Sequence, residues 1–164
     1  MFDKFGEFDS AEEINRAAAA QLAEGDTAAV LAIAEENGID KEDAQDYIDG
    51  VIAELTTPLL AAYGKIDVEA KNLKVFGPLK DWADMVREAC TTSSDLQIAV
   101  RRKGKSLVNF LGKILEVSFK DKKQVDKSIC QAAGLNGNQP VYIGMPDRKQ
   151  VRSLMLEYYI GGKK

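Results

Sequence analysis

The chain has 164 residues and a mass of 18.0 kDa, with 45% hydrophobic and 29% charged residues and a net charge of −4. That is the size of one domain, or of one domain with a small appendage, and it carries enough apolar residues to bury a core. There is no histidine, which excludes Ser-His-Asp and Cys-His catalysis, the usual catalytic zinc sites and HNH-type nuclease chemistry.

The charge is divided along the chain. Residues 1–57 carry 15 Asp/Glu against 3 Lys/Arg, a net −12, and residues 58–164 carry 11 against 19, a net +8. Such a division points to two units with different partners, or to two units that attract each other. No apolar run reaches the roughly 18 residues of a membrane span. The opening MFDKFGEFD has no apolar stretch of a signal peptide, so a cytoplasmic protein is expected.

The first predicted helix opens at Asp9-Ser10, where Ser10 and Glu13 have capping-box spacing, and turns Ile14, Ala17, Ala18 and Leu22 inward until Gly25. A second runs from Asp26-Thr27 to Gly38. A third, capped by Asp40, is expected to continue through Gly50 to Leu55, with Tyr47, Ile48, Val51, Ile52 and Leu55 inward. These make an acidic helical unit over 1–57. Thr56-Thr57-Pro58 breaks the pattern, and 58–77 shows no clean period. That stretch is expected to hold a short helix at 59–63 and then an extended connector.

A larger basic helical domain is expected over 78–164. Pro78 suits a first helical turn, with Leu79, Trp82, Met85, Val86 and Ala89 on the apolar face. Asp95 is the expected cap of DLQIAVRRK. Ser106 caps the most apolar helix, with Leu107, Phe110, Leu111, Ile114, Leu115 and Phe119 as core. A helix over Val125–Ala133, a turn cluster LNGNQP, a strand-like Val141-Tyr142-Ile143 and a last helix from Pro146 to Gly161-Gly162 complete the chain. The fold class is therefore all-α, with at most one very short strand pair.

No chemical motif emerges. GLNGN lacks the lysine and following helix of a phosphate loop. The aspartates at 40, 43, 46 and 49 are spaced for a helix face and not for a calcium loop. No nucleophile is paired with a base, so neither an enzyme nor a cofactor is expected. Cys90 and Cys130 lie outside any CxxC and read as reduced thiols packed in the core.

What remains is charge. Glu35, Glu36, Asp40, Glu42, Asp43, Asp46 and Asp49 form a candidate acidic face, either a solvated helix surface or a contact for a basic partner. Three basic groups form a candidate nucleic-acid or partner face. The first is Arg101, Arg102, Lys103 and Lys105; the second is Lys120, Lys122, Lys123 and Lys127; the third is Arg148, Lys149 and Arg152. The first group also suits the end of a helix, where cations oppose the dipole. Of Tyr158 and Tyr159, one must point outward, since helix neighbours diverge by about 100°.

The order DWADMVREAC, a polar loop, DLQIAVRRKGKSLVNFLGKIL, a basic helix opening with QVDKSI, VYIGMP and a final helix ending in EYYIGG resembles the PcfK-like proteins of bacterial mobile elements, over about 79–162. Some of that grouping are Cas9 inhibitors, or anti-CRISPR proteins. The resemblance implies a stoichiometric inhibitor that binds Cas9 or its guide RNA complex and blocks DNA recognition or cleavage. The grouping offers no motif to carry over residue by residue, so the candidate residues rest on charge. In this reading the acidic unit replaces DNA phosphates in a cationic channel. The basic unit contacts guide RNA, DNA or a second copy of the protein. The alternative is a nucleic-acid-binding accessory factor of a conjugative element.

Overall fold

The computed structural model describes residues 4–135 and 139–161. Among them are nine helices and one two-stranded sheet: α1 (Ala11–Ala23), α2 (Thr27–Glu36), α3 (Lys41–Ile48), α4 (Pro58–Leu73), α5 (Pro78–Cys90), α6 (Ser94–Arg101), α7 (Leu107–Lys120), β1 (Lys123–Gln124), α8 (Lys127–Ala132), β2 (Tyr142–Ile143) and α9 (Arg148–Ile160). The chain is mostly helical with one short antiparallel strand pair, in register Lys123 to Ile143 and Gln124 to Tyr142. No helix among the described residues is long and apolar enough to cross a membrane. Residues 136–138 of the turn cluster, and Gly162, lie outside the described residues.

Local signals set most helix ends. The Ser10 hydroxyl accepts from the Glu13 N–H, but the Glu13 carboxylate reaches back to the Asp9 N–H and not to that of Ser10. Ser106 caps α7 as expected. Ser93, not Asp95, caps α6, because its hydroxyl accepts from the Leu96 N–H. Asp147, one residue beyond Pro146, caps α9 in a full capping box with Gln150. Asp126 caps a shorter α8, and Val125 instead donates its N–H to Val141 beside the strand pair.

The third helix stops at Ile48, seven residues before the expected end. Gly50 takes a left-handed conformation (φ 74°). Its N–H donates to Tyr47 and that of Val51 to Asp46, the paired bonds that close a helix C-terminus. Val51 is consequently exposed, while Leu55 still reaches the core. The expected connector is in fact α4, sixteen residues long, capped by Thr57 with Pro58 in its first turn.

Two apolar clusters hold the molecule. Ile14, Ala18, Val30, Ile33, Ala44, Tyr47 and Leu55 pack together with Ala61 of α4. Ala62 and Ile66 of the same helix join Trp82, Val86, Cys90, Leu96, Val100, Phe110, Ile114, Met155 and Tyr159. Helix α4 is therefore the shared wall, packing most extensively on α6 and α5. Tyr159 is the inward tyrosine; Tyr158 is half-buried and its hydroxyl accepts from the Ser106 N–H. Leu115 and Phe119, expected in the core, are exposed along an open groove.

The α2–α3 loop meets α4 backbone to backbone. A Cβ on Gly64 would lie 2.0 Å from the Asn37 carbonyl oxygen, and one on Gly38 would lie 2.5 Å from that of Gly64. In an ordinary helix interior, Gly→Ala gains about 0.5–1 kcal/mol. Here the sign reverses, because neither backbone can yield without separating the two clusters. Gly64→Ala is expected to lose about 1–3 kcal/mol or more, read as a lower urea midpoint in equilibrium unfolding.

Candidate functional site

The acidic residues do not form one continuous face. An open cleft of about 840 Å³ lies between the α2–α3 turn and helices α4 and α5. Glu35, Asp40 and Asp43 line one side, and Tyr63, Asp67 and Arg87 the other. The Arg87 guanidinium stands 3.9 Å from the Tyr63 ring centroid, with Nε 3.4 Å from Asp67 Oδ1. The cleft thus combines carboxylates with two cations, Lys41 and an arginine laid on an aromatic face. Its Tyr63, Asp67 and Arg87 wall had no local signal: two of the three residues sit in the stretch that read as a connector.

Glu42, Asp46 and Asp49 lie outside this cleft and are exposed. Glu36 is committed internally: its carboxylate accepts from the backbone N–H of Lys4 at 2.6 Å and of Phe5 at 3.1 Å, fastening the N-terminal segment to α2. It is removed from the candidate face. Asp40 caps α3 through the Glu42 N–H, and Asp49 accepts from the Gln45 amide.

Helix electrostatics separate these carboxylates. Asp40, Glu42 and Asp43 stand at the N-terminus of α3, where the helix dipole favours negative charge. Asp46 and Asp49 stand at the C-terminal end, where it does not, and Asp46 also faces Glu42 at i, i+4. No basic residue occupies the last turn. The Gln45 amide offsets this for Asp49, whereas no side-chain hydrogen bond or ion pair among the described residues offsets it for Asp46.

The basic groups also divide. Arg101 is a correction to the expected face: it is 1% exposed. One terminal nitrogen donates to the Phe8 carbonyl and to Asn37 Oδ1, both at 2.8 Å, and the other approaches the Ala61 carbonyl at 3.5 Å. It joins the N-terminal segment, the α2–α3 turn and α4. Burial pulls its pKa below the ordinary value, against Glu7, Glu69, Asp9 and Glu13, which pull it back up. Lys105 is half-buried, with Nζ 2.5 Å from the Tyr158 carbonyl oxygen and 4.8 Å from that ring's centroid. Only Arg102 and Lys103 of this group face outward.

Neither a protein-family model, nor a curated protein, nor a solved structure matches this chain.

Beside Arg101 lies a second buried ionic group that the sequence did not reveal. Lys65 of α4 donates to Glu7 and, at 2.7 Å, to the Lys105 carbonyl, and its Nζ stands 4.0 Å from Glu69. Glu69 accepts from the Leu107 N–H at 2.5 Å, satisfying a donor in the first turn of α7. Burial raises the Glu69 pKa; the Leu107 N–H and Lys65 oppose this only partly. Cys90 is buried, and its thiol is pushed up to about 12, so it is inert as a nucleophile.

The other two basic groups are exposed. Lys120, Lys122, Lys123 and Lys127 follow the end of α7 through β1 into α8. Arg148, Lys149 and Arg152 line a cleft of about 610 Å³ against Met85, Glu88 and Thr91, with Arg148 paired to Glu88 at 2.5 Å. This group occupies the start of α9, where the dipole opposes cations and favours a bound anion.

Proposed function

We propose that this chain is a stoichiometric protein inhibitor of the Cas9 nuclease carried by a mobile element, acting by binding and not by turnover. The observation that supports the reading is the placement of Asp46 and Asp49. They hold negative charge at the end of a helix that disfavours it, exposed, with no basic residue in the last turn. Carboxylates held against their own dipole gain most from an external cationic partner. Cas9 offers one in the positively charged channel that holds its nucleic acid. In this reading the outer face of α3 and the adjoining cleft with Glu35, Asp40 and Asp43 meet arginines and lysines as phosphates would.

The test separates fold from function. Asp46→Lys with Asp49→Lys is expected to raise the thermal midpoint slightly, by the roughly 0.3–1 kcal/mol that each relieved dipole clash returns. It should also weaken inhibition of guide-loaded Cas9 at least tenfold, or about 1.4 kcal/mol of binding. Inhibition unchanged in the stable variant would sink the reading.

Arg148, Lys149 and Arg152 favour a second reading, a nucleic-acid-binding accessory factor of a conjugative element. It predicts a gel shift of DNA without Cas9 that weakens log-linearly with salt. Replacing these three residues by alanine should then flatten the slope.

A further inference from the structure

We propose that the groove between α5, α7 and β2 is a docking site for an acidic amphipathic segment of a partner protein. The proposal does not draw on the acidic face of α3 or its cleft; of the basic residues it uses Lys122 alone. The groove encloses about 290 Å³ between Phe76, Leu79, Trp82, Leu115, Phe119, Tyr142 and Met145. Three of these are among the most exposed apolar side chains of the molecule: Phe76 is 74% exposed, Phe119 70% and Met145 57%. Single exposed apolar residues are ordinary, but aromatics gathered around one concavity mark an interaction surface.

The groove is built and not incidental. A Cβ on Gly144 would lie 1.8 Å from the Ser118 carbonyl oxygen and 3.0 Å from the Lys122 Cα. Only glycine lets the strand seat directly on the end of α7, and that contact holds Tyr142 and Met145 as one wall. Trp82, nearly buried, forms the floor.

Charge selects the occupant. Among the described residues, Lys122 is the one charged side chain lining the groove, with Nζ 5.7 Å from the Tyr142 ring centroid. The carboxylates beside Trp82, Asp81, Asp84 and Glu88, line the adjoining cavity and not this groove, and Asp84 and Glu88 are paired with Lys80 and Arg148. A segment that inserts apolar side chains and flanks them with carboxylates satisfies both the aromatic wall and Lys122.

Trp82 is the single tryptophan of the chain, so its emission reports on the groove. The probes are two synthetic helix-forming peptides with the same leucine face, one with glutamates on the polar face and one with lysines. The glutamate peptide is expected to change Trp82 emission saturably and to bind at least about tenfold tighter. Lys122→Glu should reverse that preference. Phe119→Ser should weaken the glutamate peptide at least about tenfold with unaltered circular dichroism, since Phe119 supports no core. Absence of a saturable change, or equal affinity for both peptides, overturns the proposal. So does a concentration-dependent dimer in sedimentation that Phe119→Ser abolishes, which would assign the groove to a second copy.

Discussion

Arg101→Ala is expected to destabilise the protein by about 3–5 kcal/mol, from buried acceptors left unpaired at about 1–3 kcal/mol each together with the cavity left by a large buried side chain. For a chain of this length that is a fall of roughly 6–20 °C in thermal midpoint. Truncation strands the Phe8 carbonyl and Asn37 Oδ1 in a buried site and deletes one of the largest fully buried side chains. Arg102, the next residue, is exposed, and Arg102→Ala should stay within about 0.5 kcal/mol. Thermal and urea unfolding of the pair provide the measurement. Similar small effects from both would show that Arg101 is not the tie between the N-terminal helices and the rest. The comparison also guards functional assays, because a loss of binding by Arg101→Ala would report unfolding and not a lost contact.

The second large effect belongs to Lys65 and Glu69. Lys65→Met leaves Glu69 and the Lys105 carbonyl buried without their cation, and a loss of about 3–5 kcal/mol is expected. Adding Glu69→Gln keeps an acceptor for the Leu107 N–H while removing the uncompensated charge. The double variant should therefore lose less than the sum of the singles. The pH dependence has a definite sign. Burial raises the folded pKa of Glu69 above its ordinary 4.5, so the folded state holds the proton more tightly than the unfolded chain. The stability contributed by that proton is complete below about 4.5 and is lost as pH rises through the raised folded value. Wild type should accordingly gain on Glu69→Gln as pH falls from neutrality toward 4.5. In the Lys65→Met background the gain should begin at higher pH, because the cation that lowers the pKa is gone. A flat difference between wild type and Glu69→Gln across this range would overturn the assignment.

Both predictions concern residues that local pattern misread, and for one reason. In α4 the inward positions include Gly64, Lys65 and Glu69 beside Ala61, Ala62 and Ile66. Charges on the buried side erase the apolar period, so the segment reads as a connector. Their partners, Glu7, Leu107 and Lys105, lie 38 to 58 residues away in sequence. No window along the chain contains both members of such a pair. Arg101 is the same case from the other direction. It sits in a run of basic residues that all read alike, and only the Phe8 and Asn37 oxygens, 93 and 64 residues away, separate it from Arg102.

The candidate surfaces divide along the same line. The aspartate spacing on α3 is local, and its helical placement was legible in the sequence. That Glu36 turns inward to hold the Lys4 and Phe5 N–H groups, and that Arg87 and Tyr63 complete the cleft, depends on segments meeting across the fold. Phe119 has the right register for the core of α7, yet nothing packs over it, since β2 stops at the rim of the groove.

By itself, then, the sequence determined the helical class, the caps at Ser10 and Ser106, the glycine ends of α1 and α2, and most inward faces. Each of these is a contact within a turn or two of helix, written in adjacent residues. The tertiary structure alone decided that α4 is the common wall, that Arg101, Lys65 and Glu69 are buried ties, and which charges and aromatics are left facing outward. Those outcomes turn on desolvation, and whether a charge is stranded or satisfied in the interior is set by oxygens and nitrogens that distant parts of the chain bring to it.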